Sequence, residues 1–272
     1  MATKNNWFTT NLKARSIENL CAFDISLNPY QFTKGDFYEM CNKQAIELYE
    51  QHDKLYLSYS GGLDSEFVLK VFKDLQLDIT PVIVMTPYNE AESLDALKFC
   101  KERSIIPEIV NYTRNEIVDK LKEKSIDRGY YSLLGGLPLV VCDLVNQTGG
   151  KLLTGYGDPF SITPGLQPTH RISERLEMSE WDYYLDTYDT SHPSGFFTHS
   201  LEVFYSLINQ INYDIPTQTA KYELYKLTPR MKLYWKPEFY AIFREMKREF
   251  DYSYYIQKNK LFDQLNKYTK AD

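Results

Sequence analysis

One six-residue string constrains the chain more than any other. Ser60-Gly61-Gly62-Leu63-Asp64-Ser65 lies between a run of strand-forming residues, Lys54-Leu55-Tyr56-Leu57-Ser58-Tyr59, and an apolar-periodic stretch, Phe67, Val68, Val71, Phe72 and Leu75. The spacing predicts a strand, a glycine turn and a helix. A loop at that junction presents backbone N–H groups and the positive end of the helix dipole above the sheet edge, so it attracts anions. Ser60 and Ser65 add hydroxyl donors, and Gly61 and Gly62 admit phosphate oxygens close to the main chain. Asp64 supplies a carboxylate for a magnesium ion bridging those oxygens. The loop suits a polyphosphate.

The same unit then recurs. Ile79 to Thr86 reads as a second strand, leading through Pro87 into a helix from Glu90 to Arg103. Pro107 to Tyr112 reads as a third strand, followed by a helix from Asn115 to Lys124. Tyr130 to Val145 reads as a mostly buried helix interrupted by Gly135, Gly136 and Pro138. Lys151 to Thr154 is a short strand entering a second glycine loop, Gly155-Tyr156-Gly157-Asp158-Pro159. This alternation predicts an α/β fold, a parallel sheet with helices on both faces. Three segments are expected: an N-terminal helical extension over residues 1–53, with a helix from Asp36 to Gln51; an α/β domain carrying the glycine loop over 54–160; and a mainly helical substrate region over 161–272. Strands are expected to stop at Phe160, with helices around Ser173 to Leu185, His199 to Ile211 and Pro237 to Leu265.

Composition narrows the partners. With 31 Lys plus Arg against 37 Asp plus Glu, the formal charge is -6, which argues against a surface that is electropositive throughout, so nucleic acid is the weaker expectation and a small molecule the stronger. The four cysteines, Cys21, Cys41, Cys100 and Cys142, form no CxxC pair and read as thiols in a reducing compartment. The N-terminus lacks a signal-peptide pattern, and the longest mostly apolar stretch, Leu133 to Val145, is too short for a bilayer. A cytoplasmic protein with no membrane partner is expected; a homodimer is left open.

Two other phosphate motifs are excluded. The only Gly-Lys, Gly150-Lys151, precedes Leu152 and a strand rather than opening a helix, as a Walker loop would, and no GxGxxG string occurs. The string Ser60 to Ser65 instead resembles the PP-loop signature, SGGxDS/T, of the N-type ATP pyrophosphatases, whose members include asparagine synthetase, NAD synthetase, GMP synthetase and several tRNA-modifying enzymes. The match is complete.

The resemblance implies an adenine nucleotide alpha hydrolase-like fold with ATP across the carboxyl ends of parallel strands. The loop, Ser60, Gly61, Gly62, Leu63, Asp64 and Ser65, would grip the terminal pyrophosphate, with Asp64 on Mg2+. Ser58, Val84 and Met85, at strand ends, fall where family members contact the adenosine. Leu152 to Asp158 looks like the second signature of asparagine synthetase-type members, LLSGEGxDE, giving Thr154, Gly155 and Gly157 an α-phosphate role and Asp158 a metal role. It departs from that signature at Tyr156, which stands where an acid is expected, and at Pro159, which displaces the Asp by one position. A basic residue of the helical half commonly reaches the phosphates in this superfamily, and Arg230-x-Lys232 resembles that element; both residues are expected to be catalytic.

The function implied is an AMP-forming ligase. ATP adenylates a carboxylate or amide oxygen and an amine displaces AMP, as in asparagine synthetase but without a glutaminase domain, since Ala2 stands where the catalytic Cys would be. The alternatives are a tRNA- or nucleobase-modifying enzyme of lysidine synthetase type and a non-catalytic nucleotide-binding protein. His170, His192 and His199 show no metal-binding spacing and read as surface or hydrogen-bonded residues, with His170-Arg171 placed to contact substrate. The 23 Tyr and 15 Phe suit a core with wet edges.

Overall fold

The computed structural model describes residues 8–12, 22–27, 33–127, 133–155, 194–231, 233–241 and 255–256. The N-terminal segment opens with two antiparallel strands, β1 (Phe8–Leu12) and β2 (Ala22–Leu27), before helix α1 (Phe37–Gln51). Asp36 caps α1 by accepting hydrogen bonds from the Tyr38 and Glu39 amides. The expected helix is there, but the segment is not purely helical.

The main sheet follows. It contains β3 (Leu55–Ser58), β4 (Thr80–Met85), β5 (Glu108–Asn111), β6 (Lys151–Thr154) and β7 (Ser194–Gly195), in the order β5-β4-β3-β6-β7. Every neighbouring pair is parallel. Between the strands run α2 (Leu63–Asp74), α3 (Glu90–Glu102), α4 (Arg114–Asp127) and α5 (Leu133–Thr148). After β7 come a 3-10 turn, Phe196–Thr198, then α6 (Leu201–Gln210) and α7 (Thr217–Tyr225). The chain is thus α/β, with a parallel sheet, as the alternation predicts.

Period-two side-chain alternation divides the core between the two sheet faces. Leu55, Leu57, Tyr59, Ile83 and Leu153 face one side, where α1, α2, α3 and α6 supply Met40, Phe67, Phe72, Cys100 and Phe204. Tyr56, Val82 and Leu152 face the other, against Val141, Cys142 and Val145 of α5. A neighbouring cluster joins Tyr88, Ile117, Val140, Trp235 and Phe239. Helices therefore cover both faces, as buried parallel strands require.

The structure corrects several sequence expectations. The sheet does not end at Phe160, because β7 pairs with β6 at Leu153 and Thr154. A strand, β8 (Tyr255–Ile256), lies within the expected Pro237 to Leu265 helix and pairs with β2. Two-residue strands have no period to read. Helix α5 runs unbroken through Gly135, Gly136 and Pro138, its buried apolar face offsetting the hydrogen bond that proline forgoes. The expected helix from Ser173 to Leu185 lies outside the described residues.

The three sequence segments also share one core. Phe37 of α1 stacks on Phe67 of α2 with ring centroids 5.3 Å apart, and Phe67 stacks on Tyr225 of α7 at 4.2 Å. Buried Gln44 of α1 donates to the Phe196 carbonyl at 2.6 Å and accepts from the Ser200 hydroxyl at 2.7 Å, tying α1 to the start of α6. Among the described residues, no helix is long and apolar enough to cross a membrane. Cys41, Cys100 and Cys142 are buried thiols; burial pushes the Cys100 thiol up to about 11.

Candidate active site

Strand order places the site. β3 is flanked by β4 on one side and β6 on the other, so successive connections leave β3 in opposite directions and open a crevice at the carboxyl ends, where open α/β sheets bind ligands. Ser58 and Thr154 are register partners at the ends of β3 and β6. The Ser60 to Ser65 loop after β3 and Gly155 after β6 lie at that crevice.

The first loop is compact. Gly61 has φ +75°, in the left-handed region, and a Cβ there would lie 3.0 Å from the Ala96 Cβ of α3, so conformation and space both call for glycine. The Ser60 hydroxyl accepts from the Gly62 amide at 3.2 Å, and the Ser65 hydroxyl donates to the Gly62 carbonyl at 3.0 Å. Gly62 begins α2 with no side-chain cap. First-turn amides lack intrahelical partners, so this helix end presents donors and a positive dipole to an anion. Gly155, just past β6, presses against the start of α2: a Cβ there would lie 2.5 Å from the Ser65 amide nitrogen.

Asp64, in the first turn of α2, is the centre of charge. Its carboxylate accepts from Lys221 Nζ at 2.9 and 3.0 Å and from the Tyr225 hydroxyl at 3.0 Å. Lys221 and Tyr225 are spaced i,i+4 and share one face of α7. Lys221 is only 6% exposed. A buried ammonium needs such a partner, since desolvating an isolated charge is costly. The carboxylate of Asp64 and the hydroxyls of Ser60 and Ser65 are oxygen donors of the kind that fits magnesium, which binds through one or two carboxylates plus substrate phosphates. Among the described residues, no group of three or more His, Cys, Asp or Glu gathers to hold a metal, at this site or another.

A second network braces the loop from behind. Arg230 bonds the Glu66 carboxylate and the Gly61 carbonyl, and it donates to Asp95 at 2.9 Å. Burial works to lower the Arg230 pKa, but Glu66 and Asp95 outweigh it and hold the guanidinium raised. Glu66 is shifted up by burial, with Arg230 opposing. The buried Tyr59 hydroxyl is likewise pushed up, by burial first and the Glu66 charge second. Arg230 thus joins the loop to α2 and α3.

The structure brings Ser58, Ser60, Gly61, Gly62, Leu63, Asp64, Ser65, Thr154 and Gly155 to one sheet edge. Val84 and Met85 end the adjacent β4, where the Val84 carbonyl accepts from Asn89 Nδ2 and Ser93 Oγ. Lys232, Tyr156, Gly157, Asp158, Pro159, His170, Arg171 and His192 lie outside the described residues.

Lys221 and Tyr225 were missed by the sequence reading. Their i,i+4 spacing is visible, but nothing in the string Thr217 to Tyr225 marks the lysine as buried. His199 departs from its expected role as a surface or hydrogen-bonded residue. Its Nδ1 is buried with no hydrogen-bond partner, and burial, then the Lys151 and His52 charges, lower its pKa to about 4. It caps the 3-10 turn leading into α6, and that packing turns its ring inward.

No family model and no curated protein matches the chain. Among solved structures, a predicted subunit of tRNA methyltransferase from Methanocaldococcus jannaschii is 16% identical over 74% of this chain and 89% of that chain, with a TM-score of 0.35. A glutamine-dependent NAD+ synthetase from Acinetobacter baumannii, in complex with ADP, is 14% identical over 84% of this chain and 47% of that one, with a TM-score of 0.34. An NH3-dependent NAD synthetase from Campylobacter jejuni, in complex with the nitrate ion, is 13% identical over 73% of this chain and 100% of that one, with a TM-score of 0.35. At this distance the likenesses assign no family, and the α/β fold stands on the sheet order and register of the chain itself.

Proposed function

We propose that the chain is an ATP pyrophosphatase of PP-loop type, an AMP-forming ligase that activates a carboxylate or amide oxygen for attack by an amine. The observation that carries this reading is the complete SGGxDS string at the carboxyl end of β3, with Thr154 and Gly155 beside it at the end of the neighbouring β6. In the reaction, an acceptor oxygen attacks the α-phosphorus as the bond to the β-phosphate oxygen breaks and pyrophosphate leaves. The amine then attacks the activated carbon, AMP departs with the shared electron pair, and the amine nitrogen loses a proton.

The chain's residues hold the reactants. The Ser60 and Ser65 hydroxyls and the first-turn amides of α2 bind the departing pyrophosphate, and Thr154 and Gly155 border the α-phosphate. Magnesium held by Asp64 would neutralise charge on the pyrophosphate. Among the described basic residues of the helical half, Lys221 rather than Arg230 is the one that would meet a phosphate, because Arg230 is committed to Glu66, Asp95 and the Gly61 carbonyl. With a nucleotide bound, the Lys221 ammonium, now on Asp64, would turn to a phosphate oxygen, leaving the carboxylate to hold the metal. Preorganised donors of this kind act by stabilising developing charge.

The test uses ATP labelled at the α-phosphate, with magnesium and pools of amino acids, ammonia or tRNA, and separates AMP from ADP. AMP with pyrophosphate is the expected product pair, and the stimulating pool identifies the acceptor class. ADP would sink the mechanism. Asp64→Ala is expected to abolish pyrophosphate release, and Lys221→Gln to slow it by about 10²-fold, the typical cost of one preorganised charge-stabilising donor. Full activity in Asp64→Ala would show that the metal sits elsewhere.

A further inference from the structure

Behind the nucleotide loop, one face of α2 carries Glu66, Leu69, Lys70, Lys73 and Asp74, a spacing that lines them up in a single stripe. Opposite lie Phe99, Arg103 and Ile105 from the end of α3 and the turn after it, and Lys226 and Leu227 follow α7. Together they line a half-open pocket of about 460 Å³, within the range of about 300–1,000 Å³ usual for small-molecule sites. No residue from Ser60 to Ser65 lines it, so it is a different place from the proposed ATP site.

Its floor and rim differ in chemistry. Leu69, Phe99 and Ile105 are buried and apolar. Lys70, Lys73, Arg103 and Lys226 stand against two acids, both already engaged: Glu66 by Arg230 and Asp74 by Lys70. Among the described residues, Lys73 and Lys226 have no carboxylate within ion-pair distance. Arg103 has only the exposed Glu102 at 3.9 Å, a contact worth little. Its guanidinium lies 3.6 Å over the Phe99 ring, so the cation borders the apolar floor. Lys226 is held in the left-handed region at φ +49°, with its ammonium 4.5 Å over the Tyr38 ring. That conformation is a common way for a helix to end, and the Lys226 amide donates to the Tyr222 and Glu223 carbonyls that close α7.

We propose that this cavity is a second ligand site, for a small aryl or acyl phosphate ester, with the apolar group on Leu69, Phe99 and Ile105 and the phosphate between Lys73, Arg103 and Lys226. Guanidinium and ammonium groups are the usual partners of phosphate. The apolar floor selects for an organic ester over inorganic phosphate.

The probe is 1-naphthyl phosphate, titrated calorimetrically into the full chain with and without saturating ATP and magnesium. Binding at one site that persists with ATP present is expected. The double variant Lys73→Gln/Lys226→Gln should weaken it by at least about tenfold, the scale of losing charge-assisted contacts. Both lysines are exposed, so the fold is expected to survive, and circular dichroism checks this. 1-Naphthol and inorganic phosphate should each bind more weakly. Complete displacement of the probe by ATP, undiminished binding in the double variant, or naphthol binding as tightly as its phosphate would each overturn the proposal. Should the chain fail to bind ATP at all, the proposed function falls, and the lysine variants still decide this site.

Discussion

A single histidine illustrates how burial becomes a pH response. His199 has its pKa lowered from 6.5 to about 4, by burial first and the Lys151 charge second. The folded chain therefore keeps a neutral imidazole down to about pH 4, whereas the unfolded chain takes up a proton below about pH 6.5. Between those values the unfolded state binds more protons, so stability is intact above pH 6.5 and lost as pH falls through the window, by about 3 kcal/mol for this residue. His52 is lowered too, by burial and then by the same Lys151, and adds with the same sign. Urea unfolding across that window should show His199→Gln with a flatter dependence on pH than the parent chain. Parallel curves would mean that the acid sensitivity lies with other groups.

At the scale of elements, the site depends on how closely β6 approaches α2. A methyl group on Gly155 would lie 2.5 Å from the Ser65 nitrogen and 2.8 Å from its Cα. Both are backbone atoms at the start of a packed helix, so neither yields cheaply. Gly155→Ala should cost about 1–3 kcal/mol of stability, the usual range for overpacking, and should weaken ATP binding by moving the Ser60 to Ser65 loop. Denaturant unfolding and nucleotide titration on one sample check both. Unchanged values in both would mean that Gly155 stands further from Ser65 than the structure places it.

The elements also show what sequence reveals. β3, β4 and β6, and α1 as well, are legible because each carries its own apolar period, and Gly61 is legible because a strand-to-helix loop needs left-handed backbone. Lys221 is not. Its partner Asp64 lies 157 residues earlier, and a buried lysine is spelled the same way as an exposed one. The engagement of Arg230 with Glu66 and Asp95 is equally hidden, because only the folded chain brings α2 and α3 beside the segment after α7.

At the scale of the molecule, described residues from all three expected segments pack into one core. Phe37, Phe67, Phe197 and Tyr225 come from α1, α2, the 3-10 turn and α7, and they stack with centroid separations from 4.2 to 6.0 Å. Such aromatic contacts add about 0.5–1.5 kcal/mol each beyond area burial. A fragment of residues 54–160 would keep β3 to β6 but lose three of those four rings, the Lys221 partner of Asp64 and the Arg230 brace. It would expose Phe67 and leave the Asp64 charge without its ammonium. The fragment should therefore fail to fold cooperatively, whereas the whole chain should unfold in one transition with coincident far-ultraviolet and tyrosine signals. A fragment that melts cooperatively and still binds ATP would show instead that the α/β part is autonomous, with α1 and α7 only docked on it.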